Sequence, residues 1–223
     1  NNWTFPTEET PEDQTTLEDL RLDDVRLSDG IITFQGAEGE APLVLEDVDA
    51  NLALQSLDSP AQLQAALNYR GERMTIDAEL GLPRAVLEKG ETPITATVSA
   101  APLNASFDGA FNSENGALNG TLEANGSSLR RLLAWMGSPM GEGGGFANYS
   151  LNAQMAREGE TTTLTGATIR LDNINANGNL TLVNQENGKL RVNGALSAPA
   201  VDLNTYLPAP AQQGAEGVEV DTA

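Results

Sequence analysis

Histidine and cysteine are absent from all 223 residues of the chain. Serine–histidine and cysteine–histidine nucleophilic catalysis are therefore excluded within it, as are imidazole and thiolate zinc sites. Carboxylate-pair chemistry of the glycosidase kind stays formally open, with nothing positive in its favour. The lack of cysteine says little about redox compartment, because an oxidising compartment permits disulfides without requiring them. Aromatic residues are few and scattered, with 2 Trp, 3 Tyr and 5 Phe. An exposed cluster of several would have favoured sugar binding.

Positive charge is also scarce. Twelve Lys and Arg stand against 32 Asp and Glu, a formal charge of −20. Such a surface repels phosphate backbones, which argues against a nucleic-acid partner, and it disfavours docking on anionic headgroups. It also keeps a protein soluble. No run approaches the roughly 18 apolar residues that span a bilayer, and no basic-then-apolar signal peptide opens the chain. Residues 1–16 are polar and carry Pro6 and Pro11, and residues 208–223 are rich in Ala, Gly and Glu. These stretches are expected to be a linker and an acidic flexible tail around one piece of a longer protein.

What the chain has is alternation. Leu103, Ala105, Phe107, Gly109 and Phe111 are apolar or glycine, while Asn104, Ser106 and Asp108 fall between them. Leu118-x-Gly120-x-Leu122-x-Ala124 repeats the pattern, as do Ile174 to Leu182 through Gly178 and Leu190 to Leu196 through Gly194. Period two marks antiparallel strands with one apolar and one solvated face. A glycine inside such a strand marks a bulge, a bend or a close backbone approach. Further strands are read at Leu20–Leu22, Val25–Leu27, Ile32–Phe34, Leu43–Leu45, Ala50–Leu54, Met74–Leu82, Ile94–Val98, Tyr149–Met155 and Leu164–Leu171. Parity shifts between Leu22 and Val25, which predicts a bulge at Asp23–Asp24, and Asp29-Gly30 reads as a tight turn. The stretch 59–69 suits a helix by composition, but Leu63, Ala65, Leu67 and Tyr69 alternate with polar residues, so its end is read as strand Leu63–Tyr69.

One window has a different period. Leu129, Leu132, Leu133 and Met136 follow helical spacing, with a serine to cap the start and Gly137 to stop it. The fold expected is mainly β, a curved antiparallel sheet of about a dozen strands with repeated β segments forming a groove. One short amphipathic helix near residues 127–137 interrupts it. One β-rich domain over residues 17–207 and two β segments meeting at the helix both fit. The residues expected to line the apolar face are Leu103, Phe107, Leu118, Leu122, Leu151, Met155, Leu180, Leu182, Leu190 and Val192.

Several apparent motifs fail on their own chemistry. Asn173-x-Asn175-x-Asn177-Gly178 lacks the acidic first ligand of a calcium loop, and Asn184 stands where its bidentate Glu would be; Asp172 beside it reads as a turn residue. The glycines after Met140 lack a following Lys-Ser/Thr, so they form no phosphate loop. Asp23, Asp24 and Asp29, like Asp47 and Asp49, read as solvated acidic residues. Six Asn-x-Ser/Thr triplets carry little weight in so Asn- and Thr-rich a chain. Arg130 and Arg131 beside Trp135 form a small basic spot whose plainest role is to solvate a helix face. No catalytic residue, metal ligand or cofactor is expected.

The run from Leu20 to Phe34, with its Leu-x-Leu, Val-x-Leu, Asp-Gly and aromatic order, resembles a strand pair of AsmA-family proteins. Ser128-Leu129-Arg130-Arg131-Leu132-Leu133-Ala134-Trp135-Met136-Gly137 resembles the short helix of that family's repeated β region. Leu171-Asp172, Ala176 to Leu180 and Asp202 to Leu207 follow in the family's order, so the resemblance covers about residues 17–207. It implies a Gram-negative envelope protein, periplasmic in bulk and tethered to the inner membrane by a helix this sequence lacks. It further implies phospholipid as partner, carried in an apolar β-groove, and a role in lipid transport and outer-membrane homeostasis. A structural or carbohydrate-binding β-module of a surface protein is the alternative.

Overall fold

The computed structural model describes residues 21–35, 42–141, 143–185, 190–202 and 206. The expected linker 1–16, the tail 208–223 and most of the Asp202–Leu207 stretch that carries part of the resemblance lie outside these residues. Eleven strands run in chain order: β1 (Leu22–Phe34), β2 (Leu43–Leu54), β3 (Ala61–Tyr69), β4 (Glu72–Leu80), β5 (Glu91–Ala100), β6 (Leu103–Asn112), β7 (Ala117–Gly126), β8 (Tyr149–Glu158), β9 (Thr161–Leu171), β10 (Ile174–Asn184) and β11 (Leu190–Ser197). Two short helices interrupt them, α1 (Pro83–Leu87) between β4 and β5 and α2 (Leu129–Trp135) between β7 and β8.

The strands form one open antiparallel sheet in which each pairs with its neighbours in sequence, β1 beside β2 through to β11. β7 pairs directly with β8, so the sheet runs on past α2. Register carries the alternation from strand to strand. Leu63, Ala78, Ala96, Phe107, Leu122 and Ala153 lie in one row across β3 to β8. Ala65, Ile76, Val98, Ala105, Ala124, Leu151, Ile169 and Ala176 form the next. Between them a polar row, Gln64, Asp77, Thr97, Ser106, Glu123, Asn152 and Thr168, faces the opposite way. The expected register holds in the pairing, with Asn104 and Asp108 exposed, although Ser106 is half-buried like Leu103 and Phe107 on the other face.

The glycines act in two ways. Gly109 sits opposite Gly120 in an unbroken β6–β7 register, and a Cβ built on Gly109 would meet the Asn119 carbonyl oxygen and lie 2.6 Å from the Cα of Gly120. Here glycine permits two backbones to approach. Gly166 instead adopts φ +61 and makes a bulge in β9, where the pairing slips against both β8 and β10. Its N–H donates to Asn179 Oδ1 at 2.9 Å. The extra residue changes parity, so that Leu164 and Ala167, three apart, are both buried on the apolar face.

Three expectations are corrected. Asp29-Gly30 makes no hairpin; Asp29, at φ +52, bulges within the continuous strand β1, and its N–H donates to Asp49 Oδ1 across the pair. The register slip between Leu22 and Val25 does fall at Asp23–Asp24 as read. Leu43–Leu45 and Ala50–Leu54 are one strand, bent at Asp47 with φ +48 rather than broken. Finally, the described residues hold two helices rather than one. α2 begins at Ser128, whose hydroxyl accepts from the Arg131 N–H, and ends before Gly137 at φ +88, so it spans seven residues within the expected 127–137 window. α1 has too few residues for a periodic signal, and Pro83 at its first turn was its only mark.

Candidate functional site

The ten residues read from alternation fall on one face of the sheet. Phe107 is opposite Leu122, Leu182 is opposite Val192, and Leu180 lies between Leu164 and Gly194. Leu122, Leu151, Met155, Leu180 and Leu182 pack against a buried cluster of Ala153, Leu164 and Ala167. Leu103, Phe107 and Leu118 are half-buried elsewhere on the face. Leu190 and Val192, in the outermost strand, are 54% and 55% exposed. With strands about 4.8 Å apart, rows across eleven of them run for about 48 Å.

The central cluster shows what sequence reading missed. Leu164, Ala153 and Ala167 are its most buried members, yet Leu164 and Ala167 lie on either side of the β9 bulge and break the alternation. The signal available was Gly166 itself, a glycine between two apolar residues of opposite parity. Leu63, Ile76, Ile94 and Val98 continue the face across β3 to β5 and belong to the same surface.

The two helices stand at opposite ends of the strands. α2 reaches back from β7 to the β3–β4 turn. Trp135 packs edge-on against Tyr69 with ring centroids 5.6 Å apart, and its indole N–H donates to the Tyr69 carbonyl at 2.8 Å. Arg131 pairs with Glu72 at 2.6 Å, and Arg70 donates to the Trp135 carbonyl. Tyr69 and Glu72 share the parity of the apolar rows, so α2 crosses one end of that face. At the other end, Thr92 is fully buried and its hydroxyl accepts from the Leu82 N–H just before α1. Arg84 of α1 holds Asp58 with two bonds of 2.6 and 2.8 Å, which keeps the Asp58 carboxyl below the usual range. The basic spot thus has structural employment: Arg131 ties α2 to β4, and Arg130 donates to the carbonyls of Gly141 and Gly144.

Asp172 does more than turn the chain. At φ +51 it accepts from the N–H groups of Phe146 and Ala147 and from the Tyr206 hydroxyl. Tyr206 packs edge-on against Phe146 at 4.8 Å. The Tyr206 hydroxyl is held above its ordinary pKa by desolvation and then by the neighbouring Asp172 carboxylate.

The opposite face is polar. A hollow there, about 690 Å³, is bordered by Gln62, Gln64, Asp77, Glu79, Asp108 and Glu123, and also by Leu63, Ala78, Ala96 and Phe107. On the apolar face a smaller one, about 280 Å³, is lined by Leu122, Leu151, Leu164, Leu182 and Leu190 together with Thr162 and Asn184. No group of three or more acidic residues among the described ones is arranged to hold a metal ion. No helix among them is long and apolar enough to cross a membrane. Comparison with known proteins adds no relative: no family model, curated protein or solved structure matches the chain.

Proposed function

We propose that the chain is a non-catalytic, AsmA-like segment of a Gram-negative envelope protein that holds or conducts phospholipid along its apolar sheet face. In this reading it works in the periplasm, tethered to the inner membrane by a segment outside this sequence, and serves phospholipid transport or outer-membrane homeostasis. The observation that supports the reading is the one-sided sheet, whose apolar rows cross strand after strand while no second layer of strands covers them among the described residues. Acyl chains need a continuous apolar lining and no reactive group, and these rows supply it. The acidic surface fits the same picture, since it discourages headgroups from settling elsewhere on the protein.

The test is lipid mass spectrometry on the intact protein, with Phe107→Asp and Leu122→Asp as variants. An unpaired carboxylate among acyl chains is costly, so a folded variant should lose co-purifying phospholipid and weaken the outer-membrane barrier. Melting temperature measured alongside separates this from unfolding. A folded, correctly inserted variant with full lipid content and full barrier function would overturn the reading. The hollow on the polar face favours a second reading, a carbohydrate-binding β-module, because its amides, hydroxyls and carboxylates can hydrogen-bond sugar hydroxyls. Saturable oligosaccharide binding abolished by Asp108→Ala, with no lipid retained, would select it.

A further inference from the structure

The two outer strands of the sheet are built differently. β1 is irregular, with register slips at three places against β2, and it carries Asp24 and Asp29. Bulges and charges of this kind protect a sheet edge from pairing with another chain. β11 has neither. It pairs with β10 over eight consecutive residues, Leu190 to Ser197, with no slip. In a chain with 32 acidic residues it contains none, and its single charge is Arg191. Leu190, Val192 and Leu196 are each at least 50% exposed along it. Among the described residues none pairs with the outer edge of β11, and Tyr206 is pinned to Phe146 and Asp172 at the β9–β10 turn.

We propose that the outer edge of β11, unpaired among the described residues, is a self-association site, at which two copies pair β11 with β11 antiparallel about a two-fold axis. Topology selects this occupant. With eleven strands alternating in direction, β1 and β11 run the same way, so joining β11 to the β1 of another copy needs either a parallel pair or a copy turned over with its apolar face on the opposite side. Pairing β11 with itself is antiparallel and closes, as an isologous contact should. The axis passes through Asn193, which faces Asn193 of the second copy. Leu190 then lies opposite Leu196, Val192 opposite Gly194, and Arg191 opposite Ala195. All three large apolar side chains fall within the paired stretch, and both apolar faces point the same way in one sheet of twenty-two strands. An interface of one strand per copy is at the small end of the specific range, so the dimer is reversible. Two chains of charge −20 repel, so the dimer tightens as salt rises. This inference does not depend on lipid handling.

The test uses the absence of cysteine. Asn193→Cys introduces a single thiol at an exposed position, and directly opposed strand residues have Cβ atoms about 4.5–5.5 Å apart, close to disulfide geometry. Under mild oxidation it should give a covalent dimer, while Ala195→Cys and Thr75→Cys stay largely monomeric at the same concentration. Sedimentation equilibrium of the unmodified protein should show a monomer–dimer equilibrium that strengthens between 0.05 and 0.5 M NaCl, values of about five and about fifty times 0.01 M chosen to span the screening range. Asn193→Asp, placing like charges face to face, should weaken it by roughly five-fold or more with the circular dichroism spectrum unchanged. A protein monomeric throughout the concentration series, open-ended oligomers, or equal cross-linking of all three cysteine variants would each overturn the proposal.

Discussion

Single residues here act through the backbone more than through side-chain chemistry. Gly109 and Gly120 let β6 and β7 touch where any Cβ would collide with a main chain that cannot move aside. Gly109→Ala is therefore expected to lose about 1–3 kcal/mol of stability by overpacking. Gly141→Ala, with open space around it, should be close to neutral, and urea unfolding of both variants checks the contrast. Asp58 supplies a pH-dependent case. Its carboxyl is held low by the two bonds from Arg84. A depressed folded pKa contributes stability that is full above the ordinary value of 3.8 and disappears as pH falls through the lower folded value. Asp58→Asn should thus be less stable than the parent at pH 7 and converge with it near about pH 2, as read by melting temperature across that range. The pair is largely exposed, so the neutral-pH difference should be small.

At the scale of elements, α2 is a short helix held by its partners. Seven residues are too few to be stable alone, and its anchors are Trp135 on Tyr69, Arg131 on Glu72 and the Ser128 cap. Trp135→Ala removes both ring packing and a hydrogen bond and should cost about 2 kcal/mol or more. Ser128→Ala removes only the cap and should cost about 1 kcal/mol. If denaturant unfolding ranks the two the other way, α2 is held chiefly by its own cap. The strands and this helix were legible in the sequence because period two and period 3.6 are properties of side-chain direction alone. The stretch 61–69 resolved correctly as β3 because alternation outweighed helix-friendly composition. What stayed hidden was conformation at single positions: Asp29, Asp47 and Gly166 at positive φ bend strands without ending them. Asp-Gly has the same sequence in a turn and in a bulge, and only the pairing partner decides between them. The candidate face was legible to the same extent. Its ten residues share one side, while Leu164 and Ala167, on either side of a bulge, did not announce themselves.

For the whole molecule, the feature with the widest consequence is that, among the described residues, every strand is bonded only to the strands before and after it in the chain. No contact between distant strands has to form before the rest can follow. Such a sheet behaves as a one-dimensional zipper, with stability that is local and cooperativity that fades with distance, as in repeat proteins. Assembly can start at any hairpin and spread both ways, with little loop-closure entropy at each step. The hairpin around Ala153, Leu164 and Ala167, where burial is deepest, is the natural starting point and the last part to open. Amide hydrogen exchange should therefore be slowest in β8 and β9 and quicken stepwise toward β1 and β11, each hairpin with its own opening free energy. A single protection value shared by all eleven strands would mean that the sheet opens all at once, and that something other than neighbour-to-neighbour pairing holds it together.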